Sequence, residues 1–92
     1  MTVMVDELHR WPTTISCFRA GSSHLTTDAD LHELHAFAER LGLRREWFQP
    51  HVIAPHYDLT TPKRDLALKL GAKFVPMREQ VRERRRLRSV EA

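Results

Sequence analysis

The apolar positions of this chain come in short runs separated by polar punctuation, and their spacing changes along its length. Val3 to Val5 form a brief apolar run closed by Asp6, which reads as a buried strand. Residues 7–13 interrupt it, with Pro12 as the breaker. In "TTISCFRA", Ile15 and Cys17 alternate with Ser16 and Phe18, which suggests a second strand, and "GSSHLTT" opens with a turn at Gly21. The strongest signal is "DADLHELHAFAERLGL", where Leu31, Leu34, Phe37, Ala38 and Leu41 make one helical stripe. Thr27 or Asp28 is the expected cap, Asp28 and Asp30 suit the positive end of the dipole, and Gly42 is placed to end the helix with Leu43 folded back.

"HYDLTTPKR" then reads as the entry to a second helix, capped by Thr61 with Pro62 at the first helical position. Leu66, Ala67 and Leu70 are expected to face inward and Gly71 to end the helix. "AKFVP" is a strand stopped by Pro76, and a third helix runs from about Met77 to Arg88. Its apolar positions are few, and Glu79–Arg82 and Glu83–Arg86 pairs support it modestly.

This order predicts an α/β fold: a small, at least partly parallel sheet with about three helices in a single compact domain. Residues 1–77 form the α/β domain and residues 78–92 an Arg-rich C-terminal helix or tail. The first and last strands, joined through helices, are expected to be parallel neighbours. Ligands in such sheets lie off the carboxyl ends of strands, where Asp6 stands.

Charge sharpens the division. Residues 1–77 hold nine basic and nine acidic residues, whereas residues 78–92 hold six arginines and three glutamates, so the net +3 lies wholly in the tail. That argues against a nucleic-acid-binding core and leaves Arg82, Arg84, Arg85, Arg86 and Arg88 as candidate contacts to nucleic acid or an acidic partner. The single cysteine, Cys17, allows no internal disulfide and fits a reducing, cytoplasmic setting. No apolar run has the roughly 18–20 residues a bilayer span needs, so no membrane is expected as a partner.

His24, His35 and His56 come from three segments, each beside apolar residues. Histidine titrates near neutrality and serves as ligand, acid or base. Three readings stay open. In the first, the histidines hydrogen-bond within a thin core. A divalent metal is a second candidate, with His32 and His35 one turn apart and His56 or Asp58 completing the set, or with Asp6 and Asp58 as a carboxylate pair. The third is an anionic, phosphate-bearing ligand held by His24, His56 and Arg64 at a helix N-terminus. Lys63 and Arg64 in that first turn oppose the helix dipole, a conflict that an anion, or pairing with Asp58 or Asp65, would relieve.

"HL" at residues 24–25, "ELHAFAERLGL" at 33–43, "WFQ" at 47–49, "HYDLT" at 56–60, Arg64 and Gly71-Ala72 together resemble a bacterial and phage family known as domain of unknown function 4031. The resemblance spans Val3 to about Arg84. Ser22 stands where the family usually has a tryptophan. The family has no established activity, so the resemblance implies a fold and not a function. Its pattern includes His24, His35, His56, Tyr57, Asp58 and Arg64, which are therefore expected to form one cluster.

Two functions follow as expectations. In the first, His24, His35, His56 and Asp58 carry catalysis on a phosphate-bearing ligand, with Tyr57, Arg64 and Asp6 binding it, in phosphoesterase or nuclease-like chemistry. In the second, the chain is a non-enzymatic interaction protein that works through its arginine-rich tail.

Overall fold

The computed structural model describes residues 2–10, 21–28, 30–51 and 54–91, with side chains through residue 86. Its described elements are β1 (Val3–Val5), β2 (Ser23–Thr27), α1 (Leu31–Arg40), β3 (Phe48–Gln49), β4 (His56–Leu59), α2 (Thr61–Lys69), β5 (Lys73–Phe74) and α3 (Met77–Glu91), with a single 3-10 turn at Arg45–Trp47. The strands form one mixed sheet in the order β3-β4-β2-β1-β5. β1 runs parallel to β5 and antiparallel to β2, and β4 pairs antiparallel with both β2 and β3. The α/β class and the parallel pairing of first and last strands are as the sequence predicts.

Three of the five strands differ from the sequence expectation: the two-residue β3, which had no strand signal, and two longer ones. "HYDL" is not a helix entry but a full strand, and "SHLTT" after the Gly21 turn is a strand at the centre of the sheet. Each is four or five residues long and carries a histidine where an apolar residue would make the alternation obvious. The expected strand in "TTISCFRA", with Cys17, lies outside the described residues.

Strand alternation sorts the side chains onto two faces. Val3, Val5, Leu25, Tyr57 and Leu59 point to one face and meet Leu34, Phe37, Ala38 and Leu41 of α1 and Ala67 of α2. On the other face, Thr26 donates its hydroxyl to Gln80 Oε1 (2.8 Å), and Gln80 Nε2 donates to the Val75 carbonyl (2.8 Å). These bonds dock the first turns of α3 on the face opposite α1 and α2. The Met77 amide donates to the Glu7 carboxylate (3.2 Å), an acceptor at the helix start where backbone N–H groups lack partners.

Helix boundaries follow local chemistry with small shifts from expectation. Asp30, not Thr27 or Asp28, caps α1, accepting from the Glu33 amide at 2.9 Å. Thr27 is occupied in β2, and Asp28 accepts the Thr2 amide (2.7 Å). Thr60, one residue before the expected Thr61, caps α2. Both helices end at glycines with positive φ, +79° at Gly42 and +107° at Gly71, and the next residue donates back into the last turn. Leu66 faces solvent rather than the core, whereas Ala67 is buried.

The stripe on α1 contains residues of unequal weight: Leu34 is fully buried, but Leu31 is 41% exposed. Leu34→Ala is therefore expected to cost about 2–5 kcal/mol in chemical unfolding, and Leu31→Ala well under half of that. Equal losses would contradict the packing of α1.

Candidate functional site

The register of the central strands builds the site. Val5 pairs with Leu25, so Asp6, the next residue, comes opposite His24, and His24 pairs with Asp58. Asp6, His24 and Asp58 thus form a row across three strands on the face that α3 covers. His56 shares that face two residues from Asp58, diagonal to His24, within reach of a long side chain. The His24 and His56 rings meet edge to face at 4.8 Å between centroids.

Asp6 anchors the row. It is 1% exposed, and both carboxylate oxygens are engaged. The His24 backbone N–H donates to Oδ1 and His24 Nδ1 to Oδ2, each at 2.7 Å, and His9 Nε2 lies 3.3 Å from Oδ2. Burial pushes its pKa up, but the side-chain and backbone hydrogen bonds from His24 outweigh burial and hold it below the ordinary carboxylate value. An ionised carboxylate only accepts, so His24 carries its proton on Nδ1 and turns Nε2 toward Asp58 Oδ1, 3.9 Å away. His56 is fixed by the same logic. Its Nδ1 lies 2.8 Å from the Ala54 carbonyl, also a pure acceptor, so Nδ1 holds the proton and Nε2 faces Asp58 Oδ1 at 3.5 Å.

A pocket of about 170 Å³ lies between this face and α3. Asp6, His24, His56, His51, Gln80 and Arg84 are among the residues that line it. Arg84 is half-buried, and its guanidinium reaches Gln80 Oε1 at 3.4 Å. Withdrawal from water lowers its pKa, and among the described residues it meets no carboxylate.

The sheet divides the expected single cluster. His24, His56, Asp58 and Asp6 share one face. His35 and Tyr57 lie on the other, where His35 Nδ1 and the Tyr57 hydroxyl are 2.8 Å apart and His35 stacks edge-on against Phe48. Desolvation lowers the His35 pKa and raises that of Tyr57, so both favour their neutral forms. A metal set joining His32 and His35 to His56 or Asp58 would have to pass through the sheet. Arg64 donates from Nε to the Asp6 carbonyl (2.9 Å) and lies over the Phe74 ring, while Lys63 Nζ donates to the Leu41 carbonyl at the end of α1. These carbonyls receive the two cations of the first turn of α2, and among the described residues neither Asp58 nor Asp65 pairs with them.

Of the tail arginines, Arg82 and Arg85 are exposed, Arg86 pairs with Glu83, and Arg84 alone lines the pocket; the Arg88 side chain is outside the described residues. His9, His51 and Gln80 are not among the residues the sequence singles out. His9 reaches Asp6 because its backbone pairs with Ser22, a bridge that residue spacing does not signal.

Two groups on this face bring ligand-type atoms within 4.8 Å of one another: Asp6, His9 and His24, and His24, His56 and Asp58. With the fold and site in view, the chain belongs to the family described as protein of unknown function (DUF4031), whose model matches residues 3–87. Comparison with curated proteins gives no match, nor does comparison with solved structures.

The hydrogen bond to Asp58 raises the His56 pKa, opposed by burial and aided by the Ala54 carbonyl; the same bond lowers that of Asp58 against its own burial. The His56 contribution to stability is complete below its ordinary value of 6.5 and is lost as pH rises through its raised folded value. The Asp58 contribution is complete above 3.8 and is lost as pH falls through its lowered folded value. The pair therefore favours the fold most between those two ordinary values. Imidazole chemical shifts are expected to give His56 a midpoint above 6.5, and Asp58→Asn to lower it; an unchanged midpoint would disprove the pairing.

Proposed function

We propose that the pocket between the sheet and α3 binds a phosphate-bearing ligand and that the protein acts on it as a phosphoester hydrolase. The observation that carries this reading is Arg84. A half-buried guanidinium that meets no carboxylate among the described residues is held at a cost, because charges withdrawn from water call for a counter-charge. The planar fork of guanidinium donors suits the multiply accepting oxygens of phosphate. His24 and His56 line the same pocket, and imidazole is a common general acid or base. In hydrolysis, water adds to phosphorus, the ester P–O bond breaks, and a proton passes to the leaving oxygen, a transfer within the chemistry of His56. No helix of the described residues is long and apolar enough to cross a membrane. We assign the protein to the cytoplasm, where phosphate esters are abundant.

Inorganic phosphate, a nucleoside monophosphate and a short oligonucleotide, added without metal, provide the test. A ligand that binds only the folded chain raises its unfolding temperature by mass action. The expected result is a shift with at least one phosphate-bearing compound and at least tenfold weaker binding in Arg84→Ala, with Arg85→Ala as the exposed control. No shift, or an equal shift in Arg84→Ala, overturns the reading. Oligonucleotide binding lost in Arg82→Ala and Arg85→Ala, with steep salt dependence, would instead support an interaction protein working through α3.

A further inference from the structure

We propose that His24 Nε2, His56 Nε2 and Asp58 Oδ1 form a binding site for one first-row divalent transition metal, zinc in the first instance. The site goes beyond the phosphate reading and does not depend on it.

The three residues bring ligand atoms within 4.8 Å of one another, and both Nε2 nitrogens converge on the same carboxylate oxygen at 3.5 and 3.9 Å. Zinc bonds to histidine nitrogen and carboxylate oxygen at about 2.0–2.2 Å, which puts tetrahedral ligand atoms roughly 3.3–3.5 Å apart. Metal binding would draw the observed separations of 3.5 and 3.9 Å in to that range by side-chain rotation.

The supporting atoms match what a metal-binding histidine needs. Each of the two histidines has its Nδ1 proton bound to an acceptor, the Asp6 carboxylate for His24 and the Ala54 carbonyl for His56. This fixes the tautomer that offers Nε2 and orients the ring, the usual outer shell of such sites. The alternative group, Asp6 with His9 and His24, is less suited. Both Asp6 oxygens are held by 2.7 Å bonds from His24, and a metal there would have to break them. Asp6 thus serves as the outer support and Asp58, 41% exposed at its side chain, as the ligand.

Two nitrogens and one oxygen select a transition ion over magnesium or calcium, which take oxygen ligands. Three protein ligands leave a coordination position open, as in catalytic rather than structural zinc sites. His24 and His56 line the pocket that Arg84 also lines, so the metal would sit at its edge.

The test uses the full chain treated with EDTA and titrated with Co2+, followed by visible absorption, then displaced with Zn2+. The expected result is one Co2+ per chain, bands of low-symmetry coordination, and no effect of Mg2+ at equal concentration. Asp58→Asn and His56→Gln, checked for folding by circular dichroism, are each expected to weaken Co2+ at least tenfold. Asp6→Asn is expected to weaken it by about 10–100-fold through the orientation of His24. In the unaltered chain, Zn2+ is expected to shift the Nε2 resonances of His24 and His56 but not those of His32 and His35, a readout independent of any variant. No Co2+ spectrum, undiminished affinity in both ligand variants, or Zn2+ shifts confined to other histidines would overturn the site. Arg84→Ala is expected to keep Co2+ binding while losing phosphate. Metal binding without phosphate binding would therefore remove only the hydrolase reading, and phosphate binding without metal only this one.

Discussion

The buried Asp6 carboxylate, clasped by the backbone and ring of His24, is the constraint on which the rest of the molecule depends. A carboxylate at 1% exposure costs several kcal/mol to desolvate unless its oxygens are fully hydrogen-bonded. Here they are, but only in one register of β1 against β2. A slip of one residue would turn Asp6 toward Leu25 and Tyr57 and send Val5 to the polar face. One hydrogen-bonded carboxylate therefore fixes the pairing of the central strands, and the pairing fixes everything placed on them.

From that register the two faces acquire different tasks. The apolar face, closed by α1 and α2, is a small core in which the hydroxyl of Tyr57 is satisfied by His35 at the margin. The polar face is closed by α3, whose hold on the sheet is itself polar: Gln80 bridges Thr26 to the Val75 carbonyl, and Glu7 accepts from the helix start. A helix docked through hydrogen bonds leaves space that apolar packing would have filled. The pocket, with histidines on its floor and Arg84 on its wall, occupies that space.

The charge distribution gains meaning from the same arrangement. The basic excess in residues 78–92 reads in sequence as a uniform run. On a helix it divides by angle: Arg84 turns inward one turn after Gln80, Arg86 is neutralised by Glu83, and Arg82 and Arg85 face outward. A single chemical class thus serves the pocket, the helix surface and the exterior.

The amino-acid sequence by itself determined the helices and the glycine ends of α1 and α2, because the stripe of α1, the Pro62 entry to α2 and the glycines after both act over one or two turns of chain. It determined the parallel neighbours β1 and β5, because a crossover of this kind has few geometrical solutions. It singled out His24, His56, Asp58 and Asp6 as residues of chemical interest. Only the tertiary structure decided that these four share a face while His35 and Tyr57 do not, that Arg64 and Lys63 serve backbone carbonyls, and that His9, His51, Gln80 and Arg84 join the site. The physical reason is strand register. Side chains alternate with period two, so which residues meet across a sheet depends on the alignment of separate segments, and that alignment is set by contacts between residues far apart in the chain.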